Sequence, residues 1–260
     1  MRAPMASALL DAWERASDAS PTARALALLA VGLPNIDATA LARLSIGVRD
    51  QYLMRLRHTL FGDAVQGVSS CPQCGERLDL SFRLQDIGLD EDDGTPNLIA
   101  SVTTTDVHKW SNAEYEVEYR LPTSEDLLRI STSVDVPTAS NVLLNQCILS
   151  AKRTNTANDA TNDSIAPADL PPDITTSLLQ AMSEADPLAH TQLQLSCPAC
   201  QHAWLALFDV AHFLWMEVQA WARRTLQDVH SLARAYGWSE REILAMSARR
   251  RRLYLDLHRA

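Results

Sequence analysis

Two Cys-Pro-x-Cys pairs, Cys71-Pro72-Gln73-Cys74 and Cys197-Pro198-Ala199-Cys200, are the residues of this chain best suited to chemistry. Thiols three positions apart on a tight turn converge on one point. Two such knuckles supply the four soft ligands of a tetrahedral metal shell. Pro72 and Pro198 stiffen the turns, and Gly75 allows the positive φ often needed just after a knuckle. The expectation is one structural Zn2+ per chain, held by Cys71, Cys74, Cys197 and Cys200. Four thiolates close the shell, so a hydrolytic zinc with an open water position does not fit this ligand set. His202 could stand in for a thiolate, but four cysteines need no replacement. The competing reading is two redox dithiols; the shared proline and the strand-like run behind each pair favour the metal.

Little else in the chain is suited to catalysis. Cys147 sits in an apolar helical stretch and reads as a small core residue. His58, His108, His190, His212, His230 and His258 are scattered without ligand spacing. There is no G-x-S-x-G, P-loop or G-x-G-x-x-G, and Asp92-Asp93 are neighbours in an acidic turn. No nucleophile with a partnered base can be named, so the chain is not expected to be an enzyme.

The elements that must position the cysteines are legible from hydrophobic period and capping chemistry. Leu9, Leu10, Trp13 and Ala16 recur at helical spacing, Ser20-Pro21 starts a second helix, and Asp37 and Ser45 cap two more. Leu78, Leu80 and Phe82 alternate with polar residues as a strand behind the first knuckle. Tyr115, Val117 and Tyr119 form another strand, with residues 107–110 as its partner. Thr123 and Asp126 open a helix, and a further helix runs through Val142, Leu143, Leu144 and Ile148. Residues 152–169 read as a flexible loop, and a helix resumes from Ile174 to Met182. Strands enter and leave the second knuckle. A long amphipathic helix over 210–232 follows and ends at Gly237. Ser239 with Glu242 caps the next helix and Ser247 a last one, which carries Arg249 to Arg252.

The fold class is therefore α+β: helical N- and C-terminal lobes around a small β-rich, zinc-ribbon-like centre. The divisions expected are an N-terminal helical lobe at 1–67 and a first knuckle with its β region at 68–122. A helical insert with a flexible loop at 152–170 spans 123–186, the second knuckle 187–210, and a C-terminal helical lobe 211–260. The 122 residues between Cys74 and Cys197 make the metal a long-range clasp, whose closure would otherwise carry a large entropic cost.

Bulk composition narrows the partners. With 260 residues, 47% hydrophobic and 21% charged, the chain can build an ordinary globular core. A net charge of −9 argues against a duplex nucleic-acid partner, which needs clustered Lys and Arg. Asp11 and Glu14 interrupt the N-terminal apolar run, so no signal peptide is expected, and no run of 18 apolar residues suggests a membrane span. Five cysteines, four of them in C-x-x-C pairs, suit a reducing cytoplasm. Trp13, Trp204, Trp215, Trp221 and Trp238 are either core or interface residues, with core favoured for Trp215 and Trp221. Arg249 to Arg252, with Arg241 and Arg259, form a solvated face or dock an acidic protein surface.

Taken in order, several stretches resemble one family's landmarks. They are residues 9–15 (Leu-Leu-Asp-Ala-Trp-Glu-Arg), Cys71-Pro-Gln-Cys-Gly, residues 120–127 (Arg-Leu-Pro-Thr-Ser-Glu-Asp-Leu), Cys197-Pro-Ala-Cys and the tail over 230–244. The chain resembles the baseplate proteins of contractile-tailed phages, the baseplate hub assembly chaperone family, versions of which occur in phage-derived contractile injection systems. Gln201 stands where the second knuckle of that family often carries Gly. The resemblance implies a non-enzymatic assembly protein whose partners are baseplate hub or wedge proteins. It would act in the bacterial or infected-host cytoplasm, as a transient chaperone or as a component of the assembled particle. The alternative is a zinc-ribbon nucleic-acid-binding or transcriptional regulatory protein, resting on the cysteines and the arginine run alone.

Overall fold

A computed structural model describes residues 3–88, 106–131, 135–154 and 163–259. Four helices open the chain: α1 (Ala6–Ala16), α2 (Pro21–Gly32), α3 (Ala38–Ala42) and α4 (Ile46–Phe61). Three of them start where capping chemistry places them. The side chains of Ser20, Asp37 and Ser45 accept from the amides of Ala23, Thr39 and Val48. An antiparallel hairpin follows, β1 (Ala64–Ser70) and β2 (Arg77–Arg83), and the first knuckle is its tip.

A second unit is built on the sheet β3 (His108–Ser111), β4 (Tyr115–Tyr119), β5 (Ile148–Arg153) and β6 (Asp163–Ser164), antiparallel throughout and paired in that order. Helices α5 (Ser124–Ile130), α6 (Val136–Cys147) and α7 (Pro172–Ala185) accompany it. Tyr115, Val117 and Tyr119 face inward onto Cys147, Ile174, Leu178 and Met182, while Glu116 and Glu118 keep the other face polar. Cys147 is a buried core thiol, pushed up to about 11 by burial.

The second hairpin, β7 (Gln192–Ser196) and β8 (Ala203–Leu207), carries the second knuckle at its tip. Next comes α8 (Val210–Tyr236), 27 residues long and ended by Gly237 at φ +68°. The chain finishes with α9 (Glu240–Ala245) and α10 (Ala248–Arg259). Val210, Leu214, Trp215 and Val218 of α8 sit in one core with Leu9, Leu28, Leu29, Leu41, Leu53 and Leu56 of α1 to α4. Val229 and Leu232, further along α8, pack instead on Ile243 and Leu255. The first helices and the start of the last long helix therefore share one apolar interior. Among the described residues no helix is long and apolar enough to cross a membrane.

Polar contacts tie these units together. Arg57 is buried, and its guanidinium forks onto Glu217 (Nε to Oε2 3.0 Å, Nη2 to Oε1 2.9 Å) while donating to the carbonyls of Gly62 and Ala64, both at 2.7 Å. One side chain thus joins α4, α8 and the root of β1. Arg120 forks onto Asp126 (2.6 and 2.8 Å), which also accepts from the Thr123 amide and hydroxyl. Burial would raise the Asp126 carboxyl, but hydrogen bonds from Arg120 and Thr123 outweigh it and hold it below the usual carboxylate range. The stretch that opens α5 lies against the start of α4: the Ile46 amide donates to the Pro122 carbonyl at 3.1 Å, and Ser45 bridges Thr123.

Several expectations are corrected. Ile148 is the first residue of β5, not part of the preceding helix, because the chain turns into the sheet at Cys147. Within the expected flexible loop at 152–170, the described residues include regular structure. Lys152 and Arg153 pair with Ser164 and Asp163, and a 3-10 turn spans Pro167–Asp169. A register of only two residue pairs, in a stretch with few large side chains, leaves no periodic signal. The insert over 123–186 is consequently not all helical. Strand β1, with Gly67 and two serines, was not expected because its alternation is weak. The acidic turn at 90–94 lies outside the described residues.

At Gly47 in α4 the fold allows no side chain. Its amide donates to Asp186 Oδ2 at 2.8 Å, and a Cβ there would stand 1.9 Å from Asp186 Oδ1 and 2.9 Å from the Ala189 nitrogen. Gly47→Ala is therefore expected to lower stability by at least about 2 kcal/mol, as an overpacked contact that backbone must relieve. Urea unfolding measures this, and an unchanged midpoint would contradict the packing described.

Candidate metal centre

The two knuckles are the tips of two hairpins built to one plan. Cys71 corresponds to Cys197, Cys74 to Cys200, Gly75 to Gln201, Glu76 to His202 and Phe82 to Phe208, at one constant offset. The hydrogen bonds repeat with the residues. The Cys71 amide donates to the Glu76 carbonyl (2.8 Å) and that of Gly75 to Cys71 (2.9 Å). In the second hairpin Cys197 donates to His202 (2.9 Å) and Gln201 to Cys197 (2.9 Å). Both turns need a left-handed residue just after the second cysteine: Gly75 at φ +76° and Gln201 at φ +60°. Gln201 is the only non-glycine residue with positive φ among those described.

The tips face each other. Cys71 Sγ lies 3.6 Å from Cys200 Sγ, and Cys74 Sγ 3.6 Å from Cys197 Sγ. These two contacts exchange under the residue correspondence, so the hairpins meet as two copies related by an approximate twofold. Phe82 and Phe208, also equivalent, meet near the roots with ring centroids 5.3 Å apart, edge to face. All four sulfurs lie within 4.8 Å of one another and could hold a metal ion. A tetrahedral shell with metal–sulfur bonds of about 2.3 Å needs sulfur–sulfur separations of about 3.8 Å. The donor set and its spacing fit such a shell. All five cysteines are free thiols.

Burial differs around the site. Cys71 and Cys197 are buried, Cys200 is half-buried and Cys74 is exposed. Burial alone would raise the Cys71 thiol, but the amides of Cys74 and Gln73 and the nearby Cys200 outweigh it and lower it to about 7. The Glu76 amide favours the Cys74 thiolate, yet hydrogen bonding with Cys200 and Cys197, together with burial, pushes it up to about 12. A thiol must lose its proton to ligate a cation, so metal affinity at this site falls as pH falls.

His202 is not part of the cluster: its ring stacks on Trp204 with centroids 5.9 Å apart. The other residues singled out from the sequence do not converge on this site. Trp215 is buried in the main core and Trp221 packs against it. Trp238 stacks on Tyr236 at 4.6 Å and meets Tyr254 edge-on at 4.8 Å. Within the arginine run, Arg251 is buried and donates to the Met246 carbonyl at 2.9 Å, whereas Arg249, Arg250 and Arg252 are exposed. Sequence reasoning missed Arg57, whose pairing with Glu217 depends on residues 160 positions apart and has no local signature.

A family model described as T4 bacteriophage base plate protein matches residues 28–215, a stretch containing both knuckles. No curated protein and no solved structure matches the chain.

The equivalence of Gly75 and Gln201 can be measured. A side chain in the left-handed region costs roughly 1–2 kcal/mol, partly offset by the lower entropy of a non-glycine residue in the unfolded chain. Gly75→Ala, which meets no other atom, should destabilise by about 1 kcal/mol, and Gln201→Gly should stabilise by about 0.5 kcal/mol. Opposite signs in denaturant unfolding support the shared knuckle geometry; effects of the same sign would refute it.

Proposed function

Because the chain belongs to the T4 bacteriophage base plate protein family, we propose that it is a non-enzymatic assembly and interaction protein of a contractile tail or a phage-derived contractile injection system, built around one structural Zn2+. The observation that carries the zinc is the convergence of four sulfurs from Cys71, Cys74, Cys197 and Cys200 at the facing tips of two equivalent hairpins. A thiolate set of this kind suits zinc, which accepts tetrahedral geometry without redox chemistry. When bound, the metal supplies cross-linking and nothing else, since the thiolates complete its shell. The chain's own residues do the rest: amides within each knuckle orient the sulfurs, and the hairpin roots are embedded in the main core.

The partners that fit this reading are baseplate hub or wedge proteins, met in the cytoplasm where the tail is built. The C-terminal segment is the surface offered to them. It lies beyond the matched residues, and its helices begin with well-formed caps: Ser239 accepts from the Glu242 amide, whose carboxylate accepts from the Ser239 amide and hydroxyl. Trp238 contributes to the internal packing of this segment and only partly to its surface.

Two measurements test the proposal. Elemental analysis of the purified protein should find one zinc per chain, and Cys71→Ser should lose the metal together with cooperative folding. A metal-free, fully folded protein would end the zinc reading. Deleting residues 237–257 should abolish particle assembly and co-purification with baseplate proteins while the zinc content stays at one per chain; intact assembly without this segment would overturn the docking role.

A further inference from the structure

Helix α10 has two different faces. One is anchored: Leu255 is buried with Val229, Leu232 and Ile243, Tyr254 packs beside Trp238, and the Tyr236 hydroxyl donates to the Tyr254 carbonyl at 3.2 Å. Arg251 belongs to this inner face, and Ser247 caps the helix by accepting from the Arg250 amide at 3.2 Å. The opposite face places Arg249, Leu253 and Leu257 in line at successive i, i+4 positions, with Arg250 and Arg252 on its two flanks. Leu253 is 56% exposed and Leu257 69%. None of the three exposed arginines forms an ion pair among the described residues, and Asp256 is the only carboxylate on the helix.

This arrangement concentrates positive charge around two apolar side chains in a chain whose net charge is −9. We propose that the outer face of α10 is a docking site for an acidic amphipathic helix of a protein partner. The leucines would enter the apolar stripe of that helix, and its flanking carboxylates would meet Arg249, Arg250 and Arg252. Charge complementarity selects the sign of the partner, and the paired leucines select its shape. A nucleic acid fits less well, because the exposed face offers no aromatic ring on which bases could stack; the Tyr254 ring is half-buried under the Arg250 guanidinium, 5.8 Å away. This proposal deepens the docking role given above to the C-terminal segment and rests on it for the partner's biological setting.

The test uses the full chain and four probes. They are a synthetic helical peptide with a leucine stripe flanked by glutamates, a scrambled peptide of the same composition, a single-stranded oligonucleotide and anionic phospholipid vesicles. Binding of the amphipathic peptide should weaken at least about tenfold in Arg249→Glu/Arg252→Glu and again in Leu253→Ser/Leu257→Ser, since both charge and shape contribute. These side chains are exposed, and unchanged circular dichroism and zinc content confirm that each variant is folded. Equal binding of the scrambled peptide, or no effect of the leucine substitutions, would overturn the proposal. Tighter binding of the oligonucleotide or the vesicles would also overturn it. If the peptide binds as expected but the tail deletion leaves particle assembly intact, this surface stands and the baseplate docking role falls.

Discussion

A two-stranded hairpin is a weak element on its own, and this protein brings the tips of two of them together at the cysteine cluster. A lone pair of strands buries too little surface to hold its own register in water. In both hairpins alternate positions face solvent along the whole length, and Leu205 and Leu207 are largely exposed. Each hairpin is fixed at its root, where Val65, Leu84 and Val210 enter the main core. Each would be free at its tip but for the other. A metal held by the four sulfurs there, as proposed, would turn two marginal ribbons into one object held at both ends. It would do so by joining segments that lie on opposite sides of the sheet unit in the chain.

That arrangement also orders the rest of the molecule. The sheet β3 to β6 and its helices are inserted between the two hairpins, and they leave and rejoin them at the roots, where Phe82 meets Phe208. Contacts elsewhere set the insert against the helical core: the Asp186 carboxylate against the Gly47 amide, Pro122 against Ile46, and Ser124 against Arg49. The stretch from Arg120 to Asp126 thereby acquires a physical meaning. Its arginine and aspartate form a buried fork that also caps a helix, and its proline carbonyl receives an amide from another element.

Much of this was legible in the sequence because the controlling interactions are local or strongly patterned. Capping residues at Ser20, Asp37, Ser45, Thr123 and Ser239 mark helix starts with a hydrogen bond that spans only two or three residues. The C-x-x-C spacing carries its own geometry, and the alternation in β2 and β4 is clean. What was not legible depends on partners brought together by the fold. Strand β1 has small residues and exists because β2 pairs with it. The strand at Asp163–Ser164 borrows its order from β5. Arg57 carries no local signature and Arg251 falls in a run expected to be solvated or to dock an acidic surface. Both are nonetheless buried, one forked onto a distant glutamate and one turned back onto the Met246 carbonyl. The facing geometry of the cysteines could be argued from spacing; the near-twofold exchange of their contacts could not.

Helix α8 crosses from one apolar interior to another without a break. At 1.5 Å per residue its 27 residues reach about 40 Å. Its first turns are locked among α1 to α4 and tied through Glu217 to Arg57, while its last turns form the floor beneath α9 and α10. One continuous element therefore has the C-terminal surface at one end and, at the other, the junction where α4, β1 and the roots of both hairpins converge.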